Sequence, residues 1–234
     1  MGQVIAIDGP AGAGKSTIAR NLAERLGFTY IDTGAMYRSV TLAALQQCVA
    51  LDDEAGLERL ARSASIEFAP VRRVLLNGED VTDSIRGTEV TSGASRVAAL
   101  GRVRSALVAK QKRMAETANV VMEGRDIGSV VFPDARVKIY LDADPAERAR
   151  RRSGEQPDVP LEELTAQMRE RDERDRRRTE SPLIQAPDAV YLDSTGLTPD
   201  EVAAKVLALA SDRIHTEGGG EGRPQGKARA NAEG

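Results

Sequence analysis

The sequence predicts an α/β fold: three layers around a five-stranded parallel sheet, with a small antiparallel β insert and a short lid. Three observations carry that expectation. Residues 3–32 read as strand, glycine-rich loop, helix and strand, the βαβ unit that builds parallel sheets through right-handed crossovers. Short β-branched runs recur at 119–123, 136–142 and 189–193, separated by helical patterns. With 41% hydrophobic and 29% charged residues among 234, the chain has the composition of a globular protein that buries its own core.

In chain order, VIAID within 3–8 suits a strand buried on both faces, and the glycine-rich turn follows at once. A helix over 15–26 is signalled by Ile18, Leu22 and Leu26 at i, i+4 and i+8, with Ala19 and Ala23 beside them and Gly27 as the stop. Residues 28–32 form the second strand. The stretch 65–85 breaks the alternation with short β-rich pieces and an Asn77-Gly78 pair, a strong hairpin signal, and reads as the antiparallel insert. Helices are expected at 102–118 and 145–152. Residues 153–160, polar with Pro157 and Pro160, read either as a mobile flap or as a plain surface loop. The last helix has Thr198 as N-cap, Pro199 at its first position and Glu201 completing a capping box. This divides the chain into a core of 1–63 and 94–213 with a lid at about 150–165, an insert of 64–93, and a tail of 214–234. From 216 on, the tail has six glycines and no Leu, Ile, Val, Met or aromatic residue, so disorder is expected there.

Composition excludes several chemistries. One cysteine, Cys48, forms no internal disulfide and reads as a small buried hydrophobe in a helix. One histidine, His215, beside the low-complexity tail, is a poor base for a Ser–His or Cys–His nucleophile, and a zinc site lacks ligands. A net charge of -3 advertises neither nucleic acid nor an anionic membrane, and no apolar run approaches the length of a membrane span. A cytoplasmic monomer is the expectation.

The turn Gly9-Pro10-Ala11-Gly12-Ala13-Gly14-Lys15-Ser16, followed by Thr17, matches the phosphate-binding P-loop, with the required strand before and helix after. Its glycines let successive N–H groups turn inward, the helix adds its positive N-terminal dipole, Lys15 reaches the β and γ phosphates, and Ser16 offers a hydroxyl to Mg²⁺. A nucleoside triphosphate site follows, but the destination of the γ phosphate does not: water would make a switch or motor, a second substrate a kinase. The guanine-reading Asn-Lys-x-Asp element is missing from the sequence, and Asp193-Ser194-Thr195-Gly196 reads as a turn. Arg38 and Arg125 fall at strand ends, where ligands bind in such sheets, and each can grip a phosphate or lie as a solvated charge. The run Arg171 to Arg178, RDERDRRR, is by itself a salt-bridged helix, although Arg171, Asp175 and Arg178 share one face at i, i+4 and i+7.

Together, GPAGAGKST from Gly9, DTGAMYR from Asp32, GASRVA from Gly93, RVR from Arg102, EGRDIGSVVFPDA from Glu123, KIYLDA from Lys138 and RDERDRRR resemble the bacterial cytidylate kinases over about residues 3–213. The resemblance implies ATP-dependent phosphorylation of CMP and dCMP with Mg²⁺. It implies that Ser95, Arg104 and Asp126 meet cytosine with Arg178 nearby, and that Arg171 and Asp175 meet the ribose. Thr33, Tyr37, Arg38 and Arg125 would hold the acceptor phosphate. Cytosine presents an amine donor with acceptors at N3 and O2, the complement of a carboxylate with an Arg or Ser; uracil would set O4 against Asp126. Arg148, Arg151 and Arg152 resemble the helix leading to the family's lid, with Arg152 assigned to ATP. Lys15, Arg125 and Arg171 would carry the catalytic charge, and an already ionised acceptor phosphate needs no general base. The lid is short for the family, and Glu123 stands where Asp is common. A kinase for another small anionic acceptor, or an ATPase or switch protein, remains the alternative.

Overall fold

The computed structural model describes residues 2–70 and 72–215. The tail expected to be disordered lies outside them from residue 216 on, and so does the side chain of His215.

Five parallel strands form the main sheet in the order β2-β6-β1-β7-β8: β1 (Val4–Asp8), β2 (Thr29–Asp32), β6 (Val120–Gly124), β7 (Val137–Asp142) and β8 (Val190–Asp193). Period-two alternation divides their side chains between two helical layers. Ile5, Ile7, Val121, Val137, Ile139 and Leu141 pack under α1 (Lys15–Leu26) and α8 (Pro199–His215). Ala6, Ile31, Val120 and Met122 face the opposite layer of α2 (Thr33–Gln46), α3 (Glu54–Ser63), α4 (Thr88–Val97) and α5 (Gly101–Thr117). The helices α6 (Pro145–Glu155) and α7 (Leu161–Arg177) pack on each other.

The insert is a three-stranded antiparallel sheet of β3 (Ile66–Ala69), β4 (Arg73–Leu76) and β5 (Glu79–Asp80). Asn77 (φ 53°) and Gly78 (φ 87°) turn between β4 and β5 with the paired positive φ angles that this dipeptide tolerates. At α8, the Glu201 carboxylate accepts from Thr198 N (2.8 Å) and Thr198 Oγ1 accepts from Glu201 N (3.3 Å), which is the expected capping box.

Two expectations need correction, and three helices were missed. Cys48 is exposed, in the turn after α2 and at φ 53°, not buried in a helix. The supposed flap is shorter than 153–160, because α6 runs on through Glu155; the Arg152–Glu155 pair (2.6 Å) on its last turn helps close it. Helices α2, α3 and α4 were not anticipated. Helix α2 buries residues on every side, so it lacks the polar stripe that announces an amphipathic helix.

Candidate active site

Parallel strands end together, and the register brings their carboxyl ends into one line. Asp8 lies opposite Gly124 and Tyr140, and Asp32 opposite Glu123. Gly9, just past β1, has φ 148°, and a Cβ there would lie 1.9 Å from Leu141 O, so the turn can only be glycine. Residues 11–17 line a cleft of about 1940 Å³. Gly9 and Pro10 do not: Gly9 packs on β7, and Pro10 offers its carbonyl to Lys15 Nζ (2.6 Å). Burial, then the charge of Arg125, lowers Lys15 to about 7.

A second, tighter pocket opens from this cleft. Gly34, Ser95, Gly124, Arg125 and Arg171 line both. Nine of the ten residues that the resemblance implies for the acceptor nucleotide line it: Thr33, Tyr37, Ser95, Arg104, Arg125, Asp126, Arg171, Asp175 and Arg178. The tenth, Arg38, lines the main cleft and is held by Asp32 (2.9 Å). Five chain segments meet here: the first turn of α2, the C-terminal end of α4, α5, the end of β6 with the turn after it, and the end of α7.

Its charges are nearly all paired. Arg104, 3% exposed, binds Asp126, donates to Ala98 O (3.1 Å) and stacks over Tyr37. Asp175 pairs with Arg178 and with Arg125 (2.8 Å). Burial alone would push Asp175 up, but Arg125, Arg178 and Arg171 hold it down at about 2. Because these groups occupy one another, the pocket encloses about 50 Å³ of free space. Arg171 is the exception. It has no ion pair among the described residues, its Nε is buried without a partner, and burial followed by Arg125 lowers it to about 10. A half-buried guanidinium beside Arg125 and Arg38, with no ion pair of its own among the described residues, suits an anion placed between cleft and pocket.

At the strand ends, Glu123, Asp32 and Ser16 gather hard oxygen donors next to Lys15. Burial and the neighbouring Asp32 raise Glu123, while Lys15, the Tyr30 hydroxyl and the Ser16 hydroxyl act against that rise. Among the described residues no three His, Cys, Asp or Glu side chains cluster to hold a metal unaided. Two carboxylates and a hydroxyl fit Mg²⁺, which takes few protein ligands and completes its shell with phosphate and water.

The arginines of α6 divide. Arg148 is 6% exposed and does not line the cleft; it donates to Asp172 and to Ala11 O (2.9 Å). Arg151 and Arg152 line the cleft, Arg151 anchored on Ser194 Oγ (2.9 Å) and Ser194 O (2.8 Å). The turn at Asp193-Ser194-Thr195-Gly196 therefore does more than connect, since Ser194 Oγ also donates to Asp142 O (2.9 Å). Sequence reasoning missed Ser194, Asp172 and Arg174, which donates to Ser95 Oγ (3.0 Å). For Arg174 and Asp172 a signal existed, since both lie within the RDERDRRR run; for Ser194 there was none.

No helix among the described residues is long and apolar enough to cross a membrane. The cytidylate kinase family model matches residues 5–212. A cytidylate kinase of Solibacter usitatus (strain Ellin6076) is 56% identical over 217 residues, 90% of this chain and 93% of the relative. One from Lysinibacillus sphaericus (strain C3-41) is 49% identical, covering 90% and 97%. A bifunctional pantoate ligase/cytidylate kinase of Trichormus variabilis (strain ATCC 29413 / PCC 7937) is 49% identical, and this chain spans 42% of its length. Among solved structures, a gluconokinase from Sinorhizobium meliloti 1021 aligns over 94% of this chain and 98% of its own at TM-score 0.50 and 14% identity, a likeness of fold alone. With the family model matching residues 5–212 and close relatives bearing its name, this chain belongs to the cytidylate kinase family.

Proposed function

We propose that ATP lies along the P-loop, residues 9–17, with Arg152 reaching over its phosphates, and that CMP or dCMP fills the adjoining pocket. The observation that supports this reading is the half-buried Arg171, without an ion pair among the described residues and with its Nε buried and unpartnered, where the pocket opens onto the cleft. Phosphoryl transfer asks little covalent chemistry of the protein, so catalysis is positioning and positive charge. Lys15, Arg125 and Arg171 supply that charge. Mg²⁺ held by ATP, Ser16 and, through water, Glu123 or Asp32 would neutralise the transferring phosphate. Thr33, Tyr37, Arg38 and Arg125 take the acceptor phosphate, Arg171 and Asp175 the ribose, and Ser95, Arg104, Asp126 and Arg178 the base. Asp126 accepts from the cytosine amine, and uracil would leave it facing a lone pair.

In this reading residues 64–93 flank the acceptor, residues 150–165 act as the lid that excludes water, and the protein works as a monomer on small nucleotides and not on nucleic acid. The test is ADP release from ATP and Mg²⁺ with CMP, dCMP, UMP, AMP or no acceptor. Turnover confined to CMP and dCMP is expected. Equal ADP release without any acceptor would turn the reading into an ATPase, and equal turnover with UMP would remove the base-reading role of Asp126.

A further inference from the structure

Helix α7 carries the acceptor-side residues Arg171 and Asp175, with Arg178 just past its end, yet the residue after Arg171 faces the donor loop. Asp172 is 2% exposed. One of its carboxylate oxygens accepts from Ala11 N (3.1 Å) in the P-loop, and the other from Arg148 of α6 (2.5 Å). The same Arg148 nitrogen donates to Ala11 O (2.9 Å), and its Nε to Ala143 O (3.1 Å). Ala11 is therefore held on both sides, its N–H by α7 and its carbonyl by α6. One turn before Asp172, Met168 presses on the next loop residue: a Cβ at Gly12 would lie 2.7 Å from Met168 Cε and 3.0 Å from Arg148 O.

A buried ion pair is a poor way merely to add stability, because two apolar side chains of similar volume hold helices together as well or better. What this one adds is direction, since it fixes α7 against one peptide of the P-loop. Asp172 and Asp175 are three residues apart on a continuous helix, so motion at one is shared by the other. The acceptor pocket is also filled by its own charges: its free space is about 50 Å³, so an acceptor base entering it displaces paired side chains, among them Asp175 on α7 and Arg178 just past its end.

We propose that Asp172 is a positioning residue that couples the two substrate sites: an acceptor ordering α7 also orders the P-loop through Asp172 and Arg148, so that each nucleotide tightens the other. The proposal rests on the placement of CMP against α7 given above. Ordering α7 and Ala11 once, for the first ligand, spares the second that loss of freedom, which makes the coupling positive, and thermodynamic linkage makes it reciprocal.

The test is calorimetric titration of the full chain with Mg²⁺ and a non-hydrolysable ATP analogue, with and without saturating CMP. In the parent protein CMP should tighten the analogue by ~5- to 100-fold. In Asp172→Asn, which keeps the size of the side chain but gives up its charge, that factor should fall to within about twofold of one, while CMP alone binds within about threefold of the parent. Should Asp172→Asn fail to fold, Arg148→Lys, which keeps the charge and loses the forked donor, should show the same loss. A parent factor near one, or a variant that retains the full factor, overturns the proposal. An error in the acceptor site itself shows separately, as CMP affinity untouched by Arg178→Ala.

Discussion

The two halves of the active site are built from different materials. On the donor side the P-loop offers backbone N–H groups and one ammonium, Lys15, whose nearest hydrogen-bond acceptor is a carbonyl of its own loop (2.6 Å). On the acceptor side the work falls to side chains from five segments, and these are paired in advance: Arg104 with Asp126, and Asp175 with Arg125 and Arg178. The difference follows from what each half must recognise. A triphosphate is a uniform anion, and a nest of N–H groups at a helix N-terminus suits any of them. A base must be told from its near copy, and that takes donors and acceptors held at fixed places by buried partners. In the proposed placement of the two nucleotides, the backbone site is thus general and the side-chain site selective.

Removing the one donor-side ammonium gives the largest effect. Lys15→Ala should lower kcat by ~10²- to 10³-fold, about 3–4 kcal/mol of transition-state stabilisation, in steady-state ADP release with CMP saturating. A loss below tenfold would mean that the arginines, not Lys15, carry the transferring charge, and the contrast between the halves would blur.

Asp126→Ala should act on choice and not on rate in general. The preference for CMP over UMP should shrink by about 1–3 kcal/mol, roughly 5- to 150-fold, while affinity for the ATP analogue stays. Equal losses with CMP and UMP would show that Asp126 merely holds Arg104 in place.

The smallest effect is a proton. Burial and Arg125 lower Lys15 to about 7, so at pH 8 it is mostly neutral before the nucleotide arrives; an adjacent triphosphate favours its charged form and raises it. Binding of the ATP analogue at pH 8 should therefore take up a fraction of a proton, and at pH 6, where Lys15 is already charged, almost none. Asp175, held at about 2, stays ionised throughout, so CMP should bind at pH 8 without this uptake. Calorimetry in buffers of different ionisation enthalpy reads the difference. Identical proton counts for the two nucleotides would remove Lys15 as its source.

Contiguity explains how much could be read in advance. The parallel strands, the P-loop, the insert's Asn77-Gly78 turn and the capping box at Thr198 each depend on neighbours in sequence, and the structure has all of them. The i, i+4, i+7 face of Arg171, Asp175 and Arg178 was equally local, and all three line one pocket. Helix α2 escaped because it buries residues on every side, small polar ones included, and so shows no polar stripe, and Cys48 because the helix ends at Gln46, before it.

The sequence by itself determined the phosphate-binding loop, whose property belongs to residue types and short spacing, while the side chains proposed to read cytosine came from the resemblance to the cytidylate kinases. Only the tertiary structure decided how these groups are occupied. Arg148, which looks like a ligand for triphosphate, is held by Asp172 and Ala11; Arg171 is left without an ion pair among the described residues, its Nε buried; and Ser194, in the turn after β8, accepts from Arg151 and braces it. The reason is that pairing energy depends on distance and local dielectric, and both are set by segments far apart in the chain that the fold brings to the same strand ends.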